Sequence, residues 1–224
     1  MRHRLLPAHR RAGSLRRAGL VLAVLALAAC ATAPPTHFHT LMPSEITPRA
    51  GTQPASGIAV VVEPIRLPAQ VDQPQWLVVL ADDSLALLEQ ERWASPLRDE
   101  FRQALLEELV VGQGIVDART QPAAASASSP TTSPSRLAVD VRRFDSLPGR
   151  EARIEGSWTI SGGDPRSASS RCEWLIRESA PGSFPALAAA HRRAVARLGA
   201  AIGPALARAR RGEATACPAF DPPR

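Results

Sequence analysis

Trp76-Leu77-Val78-Val79-Leu80, Ala81-Asp82-Asp83-Ser84 and Leu85-Ala86-Leu87-Leu88 are followed closely by Ser95-Pro96-Leu97-Arg98-Asp99-Glu100-Phe101. The first run is apolar and partly β-branched, the Asp-Asp-Ser cluster is a turn, and the second run returns as its hairpin partner. Aspartate is favoured in such a turn for backbone reasons alone. Ser95 suits a helix cap and Pro96 the first helical position. Asp99 and Glu100 favour the positive end of a helix. Leu97, Phe101, Leu105 and Leu109 recur four apart and form one apolar stripe, and Gly112 and Gly114 end it. The stretch therefore reads as a hairpin followed by an amphipathic helix.

Upstream, Ile58-Ala59-Val60-Val61-Val62-Glu63 predicts a central strand buried on both faces. Downstream, Ile115 to Ala118 fits a short strand. Gln121 to Ser135 is rich in Ala, Ser, Thr and Pro, and no large apolar residue occurs in it; it predicts a disordered insertion. A β-meander follows. Leu137, Val139 and Val141 alternate with polar neighbours; Ile154, Trp158 and Ile160 share one face; Cys172, Trp174 and Ile176 repeat the pattern. Pro148-Gly149 and Gly162-Gly163-Asp164-Pro165 supply the turns. A long helix from about Phe184 to Arg210 closes the domain, with Leu187, His191, Val195, Leu198, Ile202 and Leu206 along one face. Pro204 is expected to kink or break it. His191, on the apolar side, is expected to be packed rather than catalytic. Arg192, Arg193 and Arg197 lie opposite, as a solvated face or one that touches lipid phosphate.

The chain opens with six arginines and no acid before Cys30, and Ala18 to Ala29 is an apolar run. That run is shorter than the roughly 20 residues that span a bilayer, and it predicts a cleavable export signal. Leu27-Ala28-Ala29-Cys30 matches a lipobox, in which small residues admit the peptidase and the thiol accepts diacylglycerol. The expected organisation is a signal peptide at 1–29, a lipidated Cys30 and tether at 30–57, and a domain at 58–224 that carries the insertion at 121–135. Ala31, in place of an aspartate, favours the outer membrane, with the domain facing the periplasm. Around Phe38-His39-Thr40-Leu41 a short edge strand is expected, with His37 and His39 solvated.

The whole chain has a formal net charge of +6, and cleavage before Cys30 removes six arginines, which leaves zero. The basic balance therefore gives no support to nucleic-acid binding. With Cys30 acylated, Cys172 and Cys217 remain. In an oxidising compartment they form a disulfide or stand as two thiols; sequence alone leaves both readings open. No nucleophile elbow, zinc-binding His-Glu-x-x-His, phosphate loop or Cys-x-x-Cys occurs. No catalytic residue, metal site or cofactor is expected, and a binding or scaffold role is favoured.

Leu67-Pro68, Asp72-Gln73-Pro74-Gln75, the hairpin, and Arg92-Trp93-Ala94-Ser95-Pro96-Leu97 occur in that order. Together they resemble the ABC-type transport auxiliary lipoprotein family. That family carries an early Tyr-Thr-Leu, a Leu-Pro, an Asp-Arg-Pro-Gln before a strand and an Arg-Trp-Ala-x-Pro-Leu opening a helix. Thr40-Leu41, Val141-Arg142-Arg143-Phe144 and Trp158 extend the likeness over most of the mature chain. Gln73 departs from the usual arginine, and the insertion is atypical. The resemblance implies an α/β domain, a mixed β-sheet with helices packed on it in a three-layer-like arrangement, with Asp72, Pro74, Gln75, Arg92, Trp93 and Pro96 as motif positions. It also implies a partner, an MCE-domain protein of an ABC-type phospholipid transporter, and assembly as a homo-oligomeric ring. Trp93 is expected to pack the helix against the hairpin rather than to touch lipid. Two other functions stand beside this one: an assembly lipoprotein for an outer-membrane barrel or lipopolysaccharide export, and an envelope hydrolase.

Each acyl methylene contributes about 0.8 kcal/mol to membrane attachment, so multiple chains hold a protein essentially permanently. The variant Cys30→Ala is expected to lose the acyl mass and to keep its signal segment. Intact-protein mass spectrometry of the membrane fraction reads both, and normal maturation with acyl labelling of that variant would refute the assignment.

Overall fold

The structure is a computed structural model that describes residues 34–43, 58–120, 133–162, 169–213 and 216–220. A first unit, Met1–Pro35, lies almost wholly outside these residues, and Cys30 lies outside with it. So do most of the tether and residues 121–132 of the expected insertion. Everything below belongs to the second unit, Thr36–Arg224.

In chain order the elements are β1 (His37–His39), β2 (Ala59–Val62), β3 (Gln75–Val79), β4 (Leu85–Trp93), α1 (Leu97–Glu107), a π-helical turn (Glu108–Gly112), β5 (Val116–Asp117), β6 (Ser135–Leu147), β7 (Glu151–Ser161), β8 (Ser170–Ser179) and α2 (Phe184–Arg210). The strands form two mixed sheets, in the orders β1-β4-β3 and β5-β2-β6-β7-β8. In the first, β1 runs parallel to β4 and β3 antiparallel to it. In the second, β2 is parallel to both β5 and β6, and β6, β7 and β8 form the antiparallel meander. The expected α/β domain with mixed pairing is present, with the pairing shared between two sheets. Among the described residues, no helix is long and apolar enough to cross a membrane.

The period-2 pattern decides which face of the meander is covered. Leu137, Val139, Ile154, Trp158, Ile160, Cys172, Trp174 and Ile176 are all buried. Onto that face pack Leu187, His191, Val195, Leu198, Ile202 and Leu206 of α2, each 1 % exposed or less. The stripe that runs along α1 into the π-helical turn is likewise closed: Leu97, Phe101, Leu105 and Leu109 have no exposed surface. Truncating one such side chain to alanine typically costs about 2–5 kcal/mol.

Two glycines permit the closest approaches. Gly156 stands opposite Val141 where β6 bulges by one residue, Arg142. A Cβ there would strike the Asp140 carbonyl oxygen and the Trp174 ring. Gly199 of α2 faces the π-helical turn, and a Cβ on it would meet Glu108 Cγ at 2.5 Å. The two helices can approach there because Gly199 presents only hydrogen.

Several local expectations are corrected. Pro96, not Ser95, is the residue that precedes α1, and no side chain caps the helix; the Pro96 carbonyl accepts from Asp99 and Glu100 instead. Ser95 turns its hydroxyl to Glu100. Gly112 is the last residue of the π-helical turn and Gly114 follows at φ 65°, so these glycines end the helix as expected. In β2, Val60 and Val62 are fully buried while Ala59 and Val61 are half-buried, so one face alone is sealed. Ser135 is buried and opens β6, which shortens the expected insertion at that end. Pro204 does not break α2, which runs on to Arg210. The proline is exposed, and the Ala200 carbonyl that loses its partner is on a half-buried residue near solvent, where the loss is mild.

Cys172 on β8 and Cys217 beyond α2 are bridged, with Cα atoms 5.4 Å apart and a sequence separation of 45. The bridge ties the tail that follows α2 to the meander. Alkylation with and without reductant is expected to find both thiols protected in the mature protein, and Cys217→Ser to lower stability by roughly 4 kcal/mol less any strain. Two freely alkylated thiols without reductant would exclude the bridge. Gly199→Ala tests the helix contact. Alanine is the better helix former by about 1 kcal/mol, yet overpacking at about 1–3 kcal/mol should win. A higher denaturant midpoint for this variant would show that the two helices are not in close contact there.

Candidate functional site

The motif positions converge on one corner of the domain. In β3 and β4, Trp76 pairs with Leu88 while Gln75 pairs with Arg92, so three extra residues of β4 are accommodated between them. An odd number of extra residues reverses the alternation of faces. That is why Trp93 turns inward alongside Trp76 even though Leu88 does too. Backbone bonds secure the corner: Trp93 N–H donates to the Pro74 carbonyl at 2.9 Å, and Ala94 N–H to the His39 carbonyl at 2.7 Å.

Behind these bonds lies an aromatic cluster. Trp76 and Trp93 are 4.5 Å apart by ring centroids, and His39 meets Trp76 edge-on at 4.8 Å. His191 stacks on Phe144 at 4.1 Å with the rings 6° from parallel. Trp76 Nε1–H donates to Ser146 Oγ at 2.7 Å, and Ser146 Oγ lies 2.8 Å from His191 Nε2. Trp76 can only donate, so the Ser146 hydroxyl accepts from it, and the direction of the bond between Ser146 Oγ and His191 Nε2 follows the histidine tautomer. His191 Nδ1 has no partner. Ser146 and His191 are fully buried, and burial pushes the His191 pKa down to about 3.

A second polar cluster joins the N-terminal strand to both helices. Glu100 is only 4 % exposed. Its carboxylate accepts from Thr40 Oγ1 at 2.6 Å, Leu41 N–H at 2.8 Å and Ser95 Oγ at 2.8 Å. Arg192 Nη1 of α2 donates to the Thr40 carbonyl at 3.0 Å, and burial, then the nearby charge of Arg193, lowers its pKa. This role of Glu100 was missed in the sequence, where an acid in a first helical turn is explained by the helix dipole. Its sequence traces are the distant Thr40-Leu41 pair and Ser95 within the motif.

The histidines and arginines also depart from expectation. His39 is buried and 2.5 Å from Glu91, and His37 reaches the other Glu91 oxygen at 3.0 Å; only His37 is solvated. Burial raises the Glu91 pKa, but the hydrogen bonds to His39 and His37 outweigh it and hold it below the usual value. Arg193 donates to Glu178 and to the Ser179 carbonyl, and Arg197 to Glu178 and the Arg177 carbonyl. The arginine face of α2 is therefore bonded to β8 and to the segment after β1 rather than turned wholly to solvent or lipid.

In front of the corner is an open cleft of about 650 Å³, lined by Phe38, Asp72, Gln73, Pro74, Arg92, Trp93, Ala94, Ser95, Pro96, Arg98 and Asp99. Five of the six motif positions line it, and Gln75 pairs with Arg92 at its edge. Asp72 is ion-paired with Arg98, whose Nε lies 3.2 Å from Oδ1. Gln73 donates to the Gln70 carbonyl at 2.8 Å, so this loop stays closed without the usual arginine. Among the described residues, no group of three His, Cys, Asp or Glu side chains could hold a metal ion.

The signature residues of this α/β domain build a corner and line a cleft. Residues 39–203 match the family model described as ABC-type transport auxiliary lipoprotein component, and the chain belongs to that family. No curated protein matches it. Several solved structures share the fold, two of them as follows. One, titled only as an uncharacterized protein, is 16 % identical with a TM-score of 0.59, over 76 % of this chain and 98 % of its own. Another, from Xanthomonas campestris, is 20 % identical with a TM-score of 0.54, over 75 % and 93 %.

The buried histidine makes stability depend on pH. Its folded pKa lies below the unfolded value of about 6.5, so the unfolded chain binds the extra proton. Stability is then full above pH 6.5 and falls as pH drops from 6.5 toward 3, by at most about 1.4 kcal/mol per pH unit from this group. His191→Phe should flatten that slope in denaturant titrations. Ser146→Ala should cost about 1–3 kcal/mol by leaving Trp76 Nε1–H and His191 Nε2 without their partner. An unchanged slope in His191→Phe would mean that this histidine is not the buried neutral group.

Proposed function

We propose that this protein is a non-enzymatic, lipid-anchored auxiliary subunit of an MCE-type ABC system that moves phospholipid across the envelope, held at the outer membrane and facing the periplasm. The family match over residues 39–203 carries the reading. The lipobox at Cys30 and Ala31 after it support the anchor and its membrane. The partner is an MCE-domain protein, and the subunit assembles as a ring of identical copies.

The hydrolase reading finds its best candidate in Ser146 and His191, which are 2.8 Å apart. Three observations weigh against it. Both side chains are fully buried, Trp76 donates to the serine oxygen that would have to attack, and no carboxylate orients His191 Nδ1. A nucleophile needs an open path to substrate and a base held by a third group. This pair acts in packing.

Affinity isolation of the acylated protein from native membranes is expected to recover an MCE-domain protein together with a permease and an ATPase. Recovery of outer-membrane barrel machinery alone would overturn the transport reading in favour of an assembly lipoprotein. Ester hydrolysis lost in a folded Ser146→Ala variant would instead make the protein an enzyme.

A further inference from the structure

The outer face of the three-stranded sheet carries exposed apolar side chains, and at the β3 end Leu77, Val79 and Leu85 share a cavity with Arg142 and Phe144 of β6. Register pairs Leu77 with Leu87, Val79 with Leu85 and Phe38 with Arg92, and all of these turn away from the Trp76 side. Phe38 is 66 % exposed, Leu85 58 % and Leu87 42 %. Of the five large apolar side chains exposed among the described residues, four lie on β1 or this hairpin: these three and Leu80. Such side chains scattered singly need no explanation, but a cluster on one sheet face marks an interaction surface. The meander's outer face differs, with Arg142, Arg143 and Arg153 ion-paired to Glu155, Glu173 and Asp145.

Where the chain enters this face says what covers it. Phe38 is eight residues after Cys30. Eight residues span at most about 29 Å fully extended. A domain anchored through Cys30 therefore cannot carry Phe38 far from the bilayer surface. The orientation of β1 is also set, because His37 and His39 both turn to Glu91 and leave Phe38 pointing out. Beside Phe38 stands Arg92, whose Nε donates to the Glu89 carbonyl and whose guanidinium carries further donors. An aromatic ring with an adjacent guanidinium is the chemistry of the bilayer interface: the ring enters the headgroup boundary and the cation takes phosphate. Asp82 and Asp83 at the hairpin turn disfavour deep entry at that end, so contact is shallow and led by the Phe38 edge.

We propose that this face, led by Phe38 and Arg92, rests on the phospholipid surface in which the protein is anchored. The domain is then docked on the membrane rather than swinging from its tether. The inference rests on acylation of Cys30.

The full acylated protein is placed in phosphatidylethanolamine–phosphatidylglycerol vesicles whose acyl chains carry bromine, a contact quencher of tryptophan. The native Trp76, Trp93, Trp158 and Trp174 are 3 % exposed or less, so wild type gives a low background. Phe38→Trp is expected to lose emission beyond wild type, and Val110→Trp, on the π-helical turn, is expected not to. Circular dichroism confirms that both variants fold. Equal quenching of Phe38→Trp and wild type, with acyl mass present on Cys30, overturns the docking inference and leaves the anchor standing. A blue-shifted emission without quenching also overturns it, by showing a protein surface over the face. Absence of acyl mass on Cys30 removes the anchor, and the inference falls with it.

Discussion

A buried carboxylate holds this domain's corner together. Glu100 sits in the first turn of α1 and accepts from Thr40, Leu41 and Ser95. Through those three donors it joins the segment after β1 to the loop that starts α1. Arg192 adds α2 by bonding the Thr40 carbonyl. Hydrogen bonds to a charged acceptor each contribute about 1.5–3 kcal/mol, and a buried carboxylate stripped of its donors costs more than the bonds themselves. The N-terminal strand is short and its tether lacks apolar periodicity, so this polar contact does for β1 what apolar burial does for the meander.

The same corner explains why the family's signature has its particular residues. Trp93 reaches the core because three extra β4 residues reverse its side, and the Pro74 carbonyl then receives its backbone N–H. Trp76 brings an N–H that must be bonded where no water reaches, and Ser146 and His191 complete the chain. The motif is therefore a packing device on its inner side and the lining of a cleft on its outer side. One set of residues both builds the corner and shapes the surface that a partner or membrane would meet.

Much of the architecture was legible in the sequence because it follows from local periodicity. Apolar residues four apart made α1 and α2 plain, and strict alternation made β6, β7 and β8 plain. The proposed export signal and lipobox rest on residues adjacent in the chain, and they lie outside the described residues. The failures were also physical. Ser95 has the chemistry of a cap, but the Glu100 carboxylate competes for its hydroxyl and wins. Pro204 should break a helix, but its position on the exposed side makes the lost bond tolerable. Arg193 and Arg197 look like a solvated face until β8 brings Glu178 beneath them.

The sequence by itself determined the order of elements, the apolar faces of both helices and the meander, and the motif that names the family. It could do so because each depends on residues within a few turns of one another. The tertiary structure alone decided that Thr40 meets Glu100 across 60 residues, that Trp76 meets Ser146 across 70, and that His39 is buried while His37 is not. Those pairings depend on how two sheets and two helices close on each other. A polar side chain carries no mark of which distant partner will satisfy it once water has been excluded.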